Sequence, residues 1–173
     1  AQCLVGSEMC IRDSFYLGDG ERRYFFKLES LQRAKSFKIR GALNKMLTLT
    51  AEEAARGVAT VSSGNHGSSV SYAASLLGIQ NAKVIVPEGT PQSKIDRIRY
   101  FGAEVLQMGK SYDEAHRLGL DYIRRHGLTY IDAYYDDPKI YGGQGTIGIE
   151  ILEQNPDIDT IVVPIGGGGL ITG

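Results

Sequence analysis

The sequence predicts an α/β protein built on a parallel, buried sheet. Three observations carry this. Short apolar, β-branched stretches recur along the chain, segments with helical apolar spacing follow them, and capping residues punctuate the intervals. Strands alternating with helices of this length require right-handed crossovers, which make the strands parallel and cover both faces of the sheet.

Tyr24 to Glu29 reads as the first strand. After Lys38, residues Ile39, Ala42, Leu43, Met46 and Leu47 fall on one helical face. Thr50 followed by Glu53 is a capping-box signature for a short helix over 51–56, closed by Gly57. Val58–Val61 is a strand, and His66–Leu77 a helix with Gly78 at its C-terminal cap. Lys83–Val86 is a strand, and Pro91–Tyr100 a helix opened by Thr90 and Pro91. Glu104–Leu106 is a strand, Tyr112–Arg125 a helix ending near Gly127, and Thr129–Ile131 a strand. Thr146–Gln154 carries Ile147, Ile151 and Leu152 on one helical face, and Ile161–Ile165 closes the series as an apolar strand. The turn-rich passage from Ala133 to Pro138 reads as a crossing between two lobes.

Bulk properties exclude several classes. Nineteen basic against twenty acidic residues give a net charge of −1, with no charge block suited to nucleic acid or an anionic membrane. No apolar run approaches the roughly 18 residues of a spanning helix. A cytoplasmic protein with no nucleic-acid or membrane partner is expected. Cys3 and Cys10 form neither a metal nor a redox spacing, and no metal site is expected from these residues. Residues 1–14 are expected to be a non-native leader, because Leu4–Ser14 resembles a translated sequencing-library adapter. The chain stops at Gly173, where a glycine loop should pass into a helix, so a fragment truncated at both ends is expected.

Three features point to chemistry. Lys38, between Phe37 and Ile39 at the head of a helix, is poorly placed for a free ammonium and well placed for an imine. Ser62-Ser63-Gly64-Asn65-His66-Gly67 lies between a strand and a helix, where ligands collect in open α/β sheets. Backbone N–H groups at that helix N-terminus suit a carboxylate. The same turn also reads as a plain helix cap with Asn65 as the capping residue, and His66 by itself reads as a structural hydrogen-bonder. Gly166-Gly167-Gly168-Gly169-Leu170 follows the last strand. Its entropy cost is offset where backbone N–H groups approach a phosphate, each charge-assisted bond contributing roughly 1.5–3 kcal/mol. A tight structural turn is the other reading. The run lacks the Walker lysine and the spacing of the dinucleotide fingerprint.

A lysine, a donor-rich turn and a phosphate loop match the needs of pyridoxal 5′-phosphate. Ser36 through Ala42, Ser62 through Gly67, Gly142-Gly143-Gln144-Gly145-Thr146 and Gly166 through Leu170 together resemble the threonine dehydratase and serine racemase group of fold-type II pyridoxal-phosphate enzymes. The likeness runs in order from about Tyr24 to Gly173. Cysteine synthases differ, typically having Lys-Asp-Arg and Thr-Ser-Gly-Asn-Thr-Gly where this chain has Lys38-Ile39-Arg40 and Ser62–Gly67.

The resemblance implies two parallel-sheet lobes. A large, cofactor-binding lobe would take 15–56 and 137–173 and be incomplete in this chain; a small lobe would take 57–136. It implies Lys38 as the Schiff-base lysine, Phe37 beside the cofactor, Asn65 on the ring oxygen and the backbone of Gly166, Gly167, Gly168, Gly169 and Leu170 on the phosphate. Ser62, Ser63, Gly64 and His66 would position the substrate carboxylate. Ser63 would be a second catalytic acid/base if the protein is a racemase; biosynthetic threonine dehydratases often have alanine there. The implied reaction is conversion of L-threonine or L-serine to a 2-oxo acid and ammonia, with racemisation of serine or hydroxyaspartate as the alternative. A non-catalytic α/β binding module and an inactive fragment are more distant readings. Beyond Gly173 the resemblance puts the pyridine-nitrogen partner, a divalent-cation site of racemase-like members and any regulatory domain. The 173-residue chain alone is therefore expected to be inactive, and the full-length protein a homo-oligomer.

Overall fold

The computed structural model describes residues 14–18, 23–133 and 137–173. The predicted leader up to residue 13, and the middle of the expected crossing at 134–136, lie outside the described residues. Two strands, β1 (Ser14–Gly18) and β2 (Arg23–Lys27), form an antiparallel hairpin that pairs Ser14 with Lys27 and Gly18 with Arg23. Ser14, assigned to the leader from sequence, thus opens a strand.

The α/β expectation holds. Four strands, β3 (Val58–Val61), β4 (Ala82–Val86), β5 (Glu104–Gln107) and β6 (Thr129–Tyr130), form a parallel sheet in the order β5-β4-β3-β6. Val58 pairs with both Ala82 and Thr129, and Lys83 with Glu104. Period-two alternation splits the sheet residues between two cores. Val58, Val84, Val86 and Val105 face one core with Ile39, Leu43, Val70 and Ile98. Ala59, Val61 and Ile85 face the other, with Ala115 and Ile123.

The first core is covered by α1 (Lys38–Met46), α3 (Asn65–Leu76) and α4 (Gln92–Tyr100); the second by α5 (Tyr112–Arg125). Helix α2 (Ala51–Arg56) begins at the predicted capping box, with Thr50 Oγ1 accepting from the Glu53 amide and Glu53 accepting from the Thr50 amide. The first core joins Ile39, Ala42, Leu43 and Ile140 with strand residues 58, 84 and 86. Residues assigned by resemblance to both lobes therefore share one apolar interior.

Two elements differ from expectation. The last long helix, α6, spans Pro138–Gln154 rather than starting at Thr146. Asp137 caps it by accepting from the Lys139 amide at 3.0 Å, and Pro138 occupies its first turn. Its glycines at 142, 143 and 145 obscure the helical pattern in the sequence, yet Gly143 lets α6 lie close against α1, and Gly145 makes room for the backbone of Gly173. The predicted strand Ile161–Ile165 is irregular backbone, with Val162 90% and Ile165 74% exposed. Among the described residues no strand pairs with it, and parallel strands persist only within a sheet whose two faces are covered. A short helix, α7 (Gly169–Thr172), ends the chain. No helix among the described residues is long and apolar enough to cross a membrane.

Candidate active site

Lys38 is the first residue of α1 and is buried. Its Nζ donates to the carbonyl of Ala133 at 2.8 Å, just past the end of β6, and lies 5.6 Å from the centre of the Phe37 ring. Burial lowers the pKa of this amine, while the charge of Asp132 partly opposes the shift. The amine therefore keeps more of its neutral, nucleophilic form than a surface lysine does.

The Ser62–Gly67 turn leaves the end of the neighbouring strand β3 and enters α3. Gly64, not Asn65, is the capping residue, and Asn65 is the first residue of the helix with an exposed side chain. Ser62 Oγ accepts from the Gly64 amide at 3.3 Å and tightens the turn. The first turn of α3 therefore presents the backbone N–H groups of Asn65, His66 and Gly67, the donors a helix leaves without intrahelical partners. Gly67 permits the sharp entry. A Cβ there would lie 2.2 Å from the Ser62 carbonyl oxygen.

The His66 ring turns inward. Nε2 lies 3.1 Å from the Ile131 carbonyl, which can only accept, so Nε2 carries the hydrogen and Nδ1 the lone pair. Nδ1 is buried and has no hydrogen-bond partner among the described residues. Full burial, reinforced by the charge of Lys38, lowers the ring's pKa to about 4, against the opposing effects of Ile131 and Asp132. A neutral ring with that tautomer has no N–H left for a carboxylate. What His66 offers the turn is its backbone N–H.

The structure thus brings Lys38 and His66 to one short segment, Ile131–Ala133, whose carbonyls hold both side chains. Sequence reasoning treated that segment's end as a linker, because a backbone carbonyl leaves no mark in the residue pattern.

The glycine run approaches from α6. Gly166 and Gly167 are exposed, Gly168 is left-handed (φ +81°), and Gly169 is buried against Gln144. A Cβ on Gly166 would meet nothing within 4 Å, so its backbone is open to a ligand. The run reaches the Lys38 helix through Gln144. Its Oε1 would lie 3.0 Å from a Cβ on Gly169 and its Nε2 3.1 Å from one on Gly41.

A charge cluster also missed in the sequence fixes this frame. The Arg40 guanidinium, two residues from Lys38 and 2% exposed, is bidentate to Glu29 at 2.8 and 2.9 Å. It is bidentate to Glu150 of α6 at 2.6 and 2.9 Å, and donates to Thr146 Oγ1 at 3.0 Å. Lys27 of β2 closes the cluster on Glu150 at 2.6 Å. Burial works against the charge on Arg40, and the two carboxylates outweigh it, raising its pKa. Burial likewise opposes ionisation of Glu150, but Arg40 and Lys27 hold its carboxyl below the usual range.

Comparison with known proteins gives a consistent result. Residues 14–173 match the family described as "Pyridoxal-phosphate dependent enzyme". The chain is 46% identical over 149 residues to an L-threonine ammonia-lyase of Geobacter sulfurreducens, covering 86% of this chain and 37% of that protein. It is 45% identical over 152 residues to a serine racemase of Arabidopsis thaliana, covering 88% and 45%. Among solved structures, the processed threonine deaminase isoform 2 of Solanum lycopersicum superposes with a TM-score of 0.81 at 46% identity, covering 85% of this chain and 40% of that one. The chain thus spans less than half the length of these relatives. Its fold is that of the fold-type II enzymes, represented in part. The chain belongs to the pyridoxal-phosphate dependent enzyme family.

Proposed function

We propose that the full-length protein is a pyridoxal-phosphate-dependent ammonia-lyase that converts L-threonine or L-serine to a 2-oxo acid and ammonia. The observation that carries this reading is the buried Lys38 amine. Burial lowers its pKa, Ala133 orients it, and it sits at the strand ends that also carry the Ser62–Gly67 turn.

The residues fit the cofactor. Lys38 would hold its aldehyde carbon covalently, with Phe37 packed beside it, and the exposed Asn65 amide suits its ring oxygen. The open backbone of Gly166 and Gly167, continuing through Gly169 to Leu170, suits its phosphate. When bound, pyridoxal phosphate supplies an electron sink for negative charge at the substrate Cα.

The chain's own groups do the rest. Lys38 Nζ would take the proton from the substrate Cα, a role suited to an amine with a lowered pKa. The N–H groups at the start of α3, with Ser62, Ser63 and Gly64, bind and orient the substrate carboxylate. The buried His66 ring stays neutral and braces the turn against β6. The resemblance of the motifs to the threonine dehydratase and serine racemase group is the ground for also proposing a cytoplasmic homo-oligomer for the full-length protein, with any divalent-cation site in its C-terminal half.

The test is to incubate the full-length protein with pyridoxal phosphate and L-threonine, L-serine or L-threo-3-hydroxyaspartate. The 2-oxo acid, ammonia and the D-enantiomer are assayed separately. Oxo-acid formation that disappears in Lys38→Ala is expected. D-enantiomer without oxo acid moves the assignment to racemisation, in which Ser63 serves the opposite face. Failure to take up the cofactor at Lys38 overturns the reading.

A further inference from the structure

Gln144 is 1% exposed, and among the described residues neither its Oε1 nor its Nε2 has a hydrogen-bond partner. A buried amide left in this state carries the desolvation cost of both its donor and its acceptor with nothing to offset it. An apolar side chain of the same length would avoid that cost, and an amide kept there points to a hydrogen bond made in another state of the protein. Its position says which. Gln144 stands on α6, with Nε2 toward Gly41 of the Lys38 helix and Oε1 toward Gly169 at the end of the glycine run. Helix α6 itself is held in place by Arg40 on Glu150 and Thr146. The run, by contrast, has two of its four glycines exposed. A rigid helix therefore carries an unused amide against an open loop.

We propose that Gln144 is the positioning residue of the glycine run. Its amide is hydrogen-bonded by the backbone of Gly166–Gly169 when that backbone gathers round a phosphate, and it ties the run to the helix bearing Lys38. The inference rests on the cofactor reading above and assigns within it a residue that touches the loop and not the reacting atoms.

The test compares wild-type and Gln144→Met full-length protein, with Gln144→Glu as a second variant. Thermal midpoints are measured without cofactor, and affinities for pyridoxal phosphate and for pyridoxal, which lacks the phosphate, by absorbance titration. Gln144→Met is expected to leave the cofactor-free Tm unchanged or raised, because it removes an unsatisfied amide. It is expected to weaken pyridoxal phosphate about ten- to a hundredfold while leaving pyridoxal unchanged. Gln144→Glu, which sets a carboxylate against the anion, is expected to weaken pyridoxal phosphate further.

Three results overturn the inference: a Gln144→Met protein that unfolds or loses Tm without cofactor, equal weakening of both ligands, or unchanged pyridoxal phosphate affinity in both variants. Each leaves the cofactor reading standing as long as wild type binds at Lys38. A wild type that binds no pyridoxal phosphate overturns both.

Discussion

A Cβ on Gly143 would sit 2.8 Å from the Cα of Gly41, and 2.5 Å from the carbonyl oxygen of Arg40. Helices α1 and α6 therefore meet backbone to backbone, and the glycine of the lysine motif and the glycine of the later Gly-Gly-Gln-Gly motif are two sides of one contact. Adding a methyl there forces the helices apart. Gly143→Ala is expected to cost about 1–3 kcal/mol in urea unfolding. Gly148→Ala, in the same helix with nothing within 4 Å, is expected to gain about 0.5–1 kcal/mol from helix propensity. Equal effects at the two positions would show that the close crossing carries no energy.

Arg40 joins four segments through two carboxylates whose side chains are only 13–14% exposed. Removing it leaves both acids buried without their main partner. Arg40→Met is expected to destabilise by about 3–5 kcal/mol. Adding Glu29→Gln should recover part of that loss, because Glu29, unlike Glu150 with Lys27, has its ion pair with Arg40 removed. Strictly additive losses in a double-mutant cycle by chemical denaturation would contradict the coupling.

The His66 ring gives a pH dependence with a definite sign. Its folded pKa of about 4 lies below the ordinary 6.5, so between those values the unfolded chain binds more protons. Its contribution is complete above pH 6.5 and is lost as the pH falls toward 4. The loss is of order 3 kcal/mol. Stability measured across this range should flatten in His66→Gln. An unchanged slope would mean that other groups drive the acid transition.

Gly67 and Gly64 separate a tight turn from a loose one. Gly67→Ala sets a methyl 2.2 Å from the Ser62 carbonyl, so it should lower Tm and weaken cofactor and substrate binding together. Gly64→Ala has its nearest neighbour at 3.9 Å and ordinary φ of −108°. It should leave stability within about 0.5 kcal/mol. Parallel thermal melts and titrations decide the comparison.

Local signals carried much of the chain. The capping box at Thr50 and Glu53, the helix 112–125 and the strand 58–61 appear as expected, since each depends on neighbours within a turn or on simple alternation. The start of α6 at Asp137-Pro138 was also written locally, but its glycines obscured it. Ile161–Ile165 shows the opposite case: a strand-like composition without partners to pair with stays irregular.

The sequence alone determined the α/β class, the family motifs and the candidacy of Lys38, because residue type and short spacing encode them. Tertiary structure decided what those motifs touch. The Ala133 carbonyl reaches Lys38 across 95 residues, Ile131 orients His66 across 65, and Glu150 clamps Arg40 across 110. Contacts this distant, two of them made by backbone carbonyls that every residue shares, exist only once the sheet has brought its strand ends together and α6 has packed on α1.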